Sequence, residues 1–154
     1  MNTVVEVKVK KLEHYDHELP LPRYESLLAA GADVRACLGQ GRSLIIRPGE
    51  RVLVPTAMAF EIPAGFELQV RPRSGLSLKT GLLVVNSPGT IDADFRGEVK
   101  IILGNFSTHD ETISHGDRVA QLVLAPVTRA QFVAVLDIND TGRGEGGFGS
   151  SGRA

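Results

Sequence analysis

The sequence predicts an all-β domain, a sandwich or barrel, with a loose glycine-rich end. Three observations carry this. Apolar and polar residues alternate with period two in several short runs. Turn signals break the chain at intervals of about ten residues. Glycine (17) and proline (8) are abundant while tryptophan is absent, a composition suited to many turns between short strands.

Taken in order, Thr3–Lys11 sets Val5, Val7 and Val9 against Glu6, Lys8 and Lys10, the pattern of a half-buried strand. Gly31–Leu38 repeats it. Ser43–Arg47, a Pro48-Gly49 turn and Arg51–Val54 read as a hairpin, continued by Ala57–Ile62. Pro63-Ala-Gly65 then turns the chain into Phe66–Arg71. Further strands are expected at Gly81–Val85, Glu98–Asn105, Arg118–Leu124 and Gln131–Leu136. Only Tyr24–Ala30 and Ser74–Lys79 suggest helix, and both are short. Without a linker or repeat, the chain divides into a β domain over 1–141 and an arm over 142–154.

Length and charge narrow the functional classes. A chain of 154 residues suits one domain. Seventeen basic against eighteen acidic side chains give a net charge of −1, a poor match for bulk nucleic-acid or membrane binding. The single cysteine, Cys37, cannot close an internal disulfide. No signal peptide or membrane-length apolar run is visible, so a soluble cytoplasmic protein is expected.

Four segments could carry chemistry. Arg71-Pro-Arg-Ser-Gly-Leu76 ends a strand with cations, a hydroxyl and a glycine, which suits a phosphate and equally an ordinary solvated turn. No Gly-x-Ser-x-Gly elbow surrounds Ser74, so a serine nucleophile is poorly supported. Asn86–Gly97 reads as a hairpin about Pro88-Gly89 whose returning limb puts Asp92 and Asp94 on one strand side. Its backbone could read a base edge, a carboxylate could orient water and Phe95 could pack on a sugar. Gln121, in Gly116–Leu122, could face a ligand or hold a satisfied buried amide.

Gly142–Arg153 holds six glycines, two serines, two arginines and Phe148. It has too little apolar surface to order itself, and reads as a frayed end or as a closing arm. The four histidines show no zinc-ligand spacing. Magnesium carried by a phosphate ligand remains compatible.

The order of these segments is more specific than any of them. Ala30-Gly-Ala-Asp-Val-Arg-Ala36, Pro72-Arg-Ser-Gly-Leu76, Gly89-Thr-Ile-Asp-Ala-Asp-Phe-Arg-Gly-Glu98, Gly116-Asp-Arg-Val-Ala-Gln-Leu122 and Arg143-Gly-Glu-Gly-Gly-Phe-Gly-Ser-Ser-Gly152 resemble the five ordered motifs of the trimeric dUTPase family. The resemblance implies a jelly-roll-like β-barrel assembled as a homotrimer with sites between subunits, hydrolysing dUTP to dUMP and pyrophosphate with Mg2+ on the triphosphate. By position, Asp92 would orient the attacking water and meet the 3′-hydroxyl. Asn86 and the backbone of Thr90 and Ile91 would read uracil, with Lys100 on the continuing pocket strand.

Phe95 matches a position, often tyrosine, that lies under the deoxyribose and leaves no room for a 2′-hydroxyl. Arg73, Ser74 and Gly75 would bind phosphate, with Gln121 beside them. Asp33 would lie near the metal's water shell, with no direct protein ligand to the ion. The arm would close with Phe148 over uracil and Arg143, Gly149, Ser150 and Ser151 on the phosphates. Two other readings stay open: a dCTP deaminase of the same fold, which would need an acid/base group at the ring, and a non-catalytic nucleotide-binding or interaction module.

Overall fold

A computed structural model describes residues 4–147. It contains twelve strands, all antiparallel where paired, and one short helix: β1 Lys8–Lys11, β2 Arg23–Tyr24, β3 Ala32–Arg35, β4 Ser43–Ile46, β5 Arg51–Pro55, β6 Met58–Glu61, β7 Phe66–Arg71, α1 Ser74–Lys79, β8 Leu82–Val84, β9 Gly89–Ile91, β10 Lys100–Asn105, β11 Glu111–Ser114 and β12 Arg118–Pro126. The strands form four sheets, ordered β2-β3-β12-β7-β9, β5-β10-β8, β11-β4 and β1-β6. Strands adjacent in sequence repeatedly enter different sheets, which gives the jelly-roll character.

Ile46, Val54, Leu82, Ile101, Leu103, Ile113 and Val119 are fully enclosed in one core between the sheets. Two buried polar side chains are satisfied within it. The Thr56 hydroxyl donates to the Val99 carbonyl at 2.6 Å. The Asn105 amide donates to the carbonyls of Ile46 (2.7 Å) and His109 (2.8 Å) and accepts from Ser107. These bonds tie loops to strands and offset the desolvation of the buried groups.

Several expectations need correction. The first strand is shorter than the expected Thr3–Lys11, since among the described residues of that segment only Lys8–Lys11 finds a partner, in β6. Pro48-Gly49 does turn the chain, with Gly49 at φ 77°, but Ser43–Ile46 and Arg51–Pro55 form no hairpin. They pair with β11 and β10 respectively. Nor is Asn86–Gly97 a hairpin, because β8 pairs with β10 and β9 with β7 across a cis Ser87-Pro88 bond.

Tyr24–Ala30 is not helical. Its first residue, Tyr24, pairs with β3 together with the preceding Arg23, and turns follow. Ser74–Lys79 is the helix α1. Gln131–Leu136 pairs with nothing among the described residues, and Phe132 is 95% and Leu136 108% exposed. Alternation supplies a face to bury but no neighbour to bury it against.

Candidate active site

The β9–β10 connection builds the main candidate pocket. Asn86, Thr90, Ile91, Asp92, Phe95 and Lys100, all predicted from sequence, line one cavity of about 340 Å³ together with Leu53, Val70, Gly89, Glu98, Val99 and Ile102. Strand β9 lies at the edge of the five-stranded sheet. Its pairing with β7 uses one side of its backbone, so the other side keeps donors and acceptors for a ligand. Gly89 is buried there, and a Cβ on it would press on the Asn86 amide nitrogen at 2.9 Å and on Val70 at 3.2 Å. The glycine is therefore required by close packing beneath Asn86.

Strand β9 stops at Ile91, so the expectation that Asp92 and Asp94 share a strand side is not met. Residues 92–95 turn instead, with the Phe95 N–H donating to the Asp92 carbonyl at 3.2 Å. Asp92 lines the pocket and Asp94 does not. The Asp92 side chain is exposed, and its carboxylate has no hydrogen bond or ion pair among the described residues. It is free to accept from a ligand or a water.

Glu98 is a pocket residue that sequence reasoning leaves without a role. Its Oε1 accepts from the Ala57 N–H at 2.9 Å and meets His14 Nε2 at 3.1 Å, and Oε2 lies 3.4 Å from Lys100 Nζ. Burial pushes the Glu98 carboxyl up, but the His14 bond, the Ala57 N–H and the nearby Lys100 charge outweigh it and hold it below its ordinary range. Ala57 is fully buried with φ 55°, a left-handed conformation costly for a residue with a Cβ. Glu98 thus fastens a strained turn to the pocket floor. Only the register brings these partners together, since residues 57 and 98 are far apart in sequence.

The phosphate-side residues gather at a second place. Across the sheet Gln121 stands between Asp33 on β3 and Arg71 on β7. Two residues on, Arg73 Nε donates to Asp33 Oδ1 at 2.9 Å and its Nη1 to the Arg118 carbonyl at 3.2 Å. Arg118 Nη1 reaches Asp33 Oδ2 at 3.2 Å and Glu25 at 3.6 Å. Arg73 Nη2 has no partner among the described residues.

Arg73 makes no side-chain cap on α1, so the first N–H groups, those of Ser74 and Gly75 among them, have no acceptor from that side chain. The Gln121 amide donates to the Pro72 carbonyl at 2.9 Å, and its other end sits where a Cβ on Gly31 would be. The Gln121 amide nitrogen is therefore engaged in supporting the Pro72–Arg73 turn.

These two groups are not brought together in one chain. Ile91 stands opposite Leu68 and Gly89 opposite Val70, so Asp92 continues toward the Glu67 end of β7 while Arg71 and Arg73 leave from the other. From Glu67 to Arg71 the strand covers ~13 Å at about 3.3 Å per residue. Arg143 is exposed in a turn, its Nε donating to the Gly146 carbonyl at 2.7 Å. Phe148, Gly149, Ser150 and Ser151 lie outside the described residues.

Histidine serves structure. His115 Nδ1 accepts from the N–H groups of Leu38 and Gly39, both at 3.0 Å, and its Nε2 meets Asp16 at 2.9 Å. Among the described residues no three His, Cys, Asp or Glu side chains are grouped to hold a metal. No helix among them is long and apolar enough to cross a membrane.

Comparison with known proteins adds a consistent result. The family model described as dUTPase matches residues 17–152. A deoxyuridine 5'-triphosphate nucleotidohydrolase of Bdellovibrio bacteriovorus is 56% identical over 148 residues, 96% of this chain and 97% of that protein. One of Methylocella silvestris is 49% identical over 154 residues, 100% of this chain and 96% of that protein. Among solved structures, a mutant dUTPase of Staphylococcus bacteriophage 80alpha with dUpNHpp superposes with a TM-score of 0.84 at 25% identity, covering 97% of this chain and 100% of the other.

Proposed function

The chain belongs to the dUTPase family, and from that premise we propose that it hydrolyses dUTP to dUMP and pyrophosphate. The observation that carries the proposal is the convergence of an unpaired carboxylate, Asp92, with an aromatic ring, an amide and an open strand edge in one pocket. The edge of β9 at Thr90 and Ile91 pairs with uracil, assisted by Asn86. Phe95 lies under the deoxyribose, where a 2′-hydroxyl has no room. Lys100 and Glu98 brace the floor.

Asp92 accepts a proton from a water placed for attack at the α-phosphorus. The new P–O bond forms to that water as the bond from the α-phosphorus to the bridging oxygen breaks, and pyrophosphate leaves with the electron pair. General-base action and alignment of this kind each contribute several powers of ten. Nothing in the reaction needs a protein nucleophile, in keeping with the lack of a serine elbow.

Arg73, with Ser74 and Gly75, holds the phosphates, and Gln121 acts on them through the turn it supports. The ~13 Å along β7 between the two groups favours phosphates bound by another copy's Arg73, and the family resemblance makes that assembly a homotrimer with shared sites. The arm then closes with Phe148 on the base and Arg143, Gly149, Ser150 and Ser151 on the phosphates, excluding water as it orders.

The donor set fits magnesium held mainly by the triphosphate and water. Both Asp33 oxygens are already engaged by guanidinium groups, which leaves Asp33 a water-bridged contact. The ion would neutralise charge on the triphosphate. The reading places the enzyme in the cytoplasm, limiting uracil entry into DNA and supplying dUMP for thymidylate synthesis, with neither nucleic acid nor membrane as partner.

The test is to incubate the protein with magnesium and dUTP, dTTP, dCTP or UTP separately, assaying pyrophosphate and ammonia. Pyrophosphate from dUTP alone is expected. Ammonia from dCTP would move the chain to the deaminase reading, and no product from any nucleotide would leave a binding module.

A further inference from the structure

We infer that Gly97 is a specificity-determining position: its missing side chain makes the seat on which the Phe95 ring rests and so sets how far that ring fills the sugar space. This rests on the reading that Phe95 underlies the deoxyribose. A glycine is required either by a left-handed backbone or by lack of room. Gly97 is not among the positive-φ residues, so the first reason does not apply. The second does: a Cβ on Gly97 would stand 2.7 Å from Phe95 Cζ and 3.0 Å from Cε2.

The backbone around the ring is held. Phe95 N–H donates to the Asp92 carbonyl, and Arg96 Nη1 donates to the carbonyls of Ala93 (2.6 Å) and Phe95 (3.0 Å). The ring is therefore the part that yields, by about 1 Å to regain an ordinary carbon–carbon contact. Phe95 is a wall of the pocket and Gly97 is not, so a methyl at 97 would displace a wall of the pocket without itself lining it.

The experiment is a double-mutant cycle of Gly97→Ala and Phe95→Ala, reading KM for dUTP, the dUTP/UTP ratio of kcat/KM and Tm. Gly97→Ala is expected to raise KM about tenfold with kcat changed far less, and to leave Tm unchanged because the site is exposed and the backbone ordinary. In the Phe95→Ala background the same change should alter KM by less than about twofold, since the cycle isolates what passes through the ring. Phe95→Ala alone should erode the dUTP/UTP ratio. A KM unchanged in Gly97→Ala, or raised equally in both backgrounds, would overturn the role of Gly97 while leaving that of Phe95. A lowered Tm with unchanged sugar selectivity would assign Gly97 to the backbone instead. An unchanged ratio in Phe95→Ala would remove the reading of Phe95 and the inference with it.

Discussion

The nucleoside pocket and the arginine cluster at the end of β7 treat charge in opposite ways. In the pocket one carboxylate, Asp92, is left without a partner, and the neighbouring recognition elements are an amide, a ring and a strand edge. In the cluster every carboxylate is committed, with Asp33 shared by Arg73 and Arg118. An unpaired, exposed carboxylate costs the fold nothing and is available for chemistry. A guanidinium fixed by a carboxylate loses freedom before any ligand arrives, which lowers the cost of binding phosphate. The first region should therefore fail in chemistry when altered, and the second in geometry.

The largest effect tests the first half of this contrast. Asp92→Asn should reduce kcat by about a thousandfold or more, while KM for dUTP and Tm stay close to those of the parent. Steady-state pyrophosphate release with a thermal melt decides it, and near-normal turnover would refute the role of Asp92. Next in size is removal of residues 142–154, with a loss of about a hundredfold in kcat/KM and an unchanged melt. Unchanged kinetics would discard the arm.

A smaller effect probes the cluster. Arg73→Lys keeps the charge but not the fork that meets Asp33 and the Arg118 carbonyl together, so KM should rise by roughly tenfold with kcat less affected. Asp33→Asn should give part of the same rise and add little to it in the double variant. Additive effects would show that Asp33 acts on something other than Arg73.

What was legible in the sequence follows the same division. The strands were readable because alternation is local, and six pocket residues fell within one stretch, Asn86 to Lys100. The hairpins are not legible in this way, because Pro48-Gly49 announces a reversal of direction without saying which strand lies alongside. Gln131–Leu136 shows the converse, a strand pattern that needs a neighbour this chain does not provide among its described residues. The pairing of Asp33 with Arg73 and Arg118 spans 40 and 85 positions. It depends on the β3-β12-β7 register, while the hold of Glu98 on Ala57 depends on that of β5 with β10.

Glu98 sharpens the comparison from the side of stability, since it is a pocket carboxylate that is committed. Its folded carboxyl lies below the ordinary value of 4.5, burial opposing and the bonds to His14 and Ala57 prevailing. A group depressed in this way contributes stability above its unfolded value and loses it as pH falls through the folded one. Glu98→Gln keeps an acceptor for the Ala57 N–H but gives up the charge. Its Tm should lie a few degrees below the parent's at neutral pH, and the two curves should converge as pH drops below about 4.5. A gap that persists unchanged into acid would mean that Glu98 acts by packing alone. The charge then has no part in holding the Ala57 turn, and Asp92 would no longer stand apart from its neighbour in the way the contrast requires.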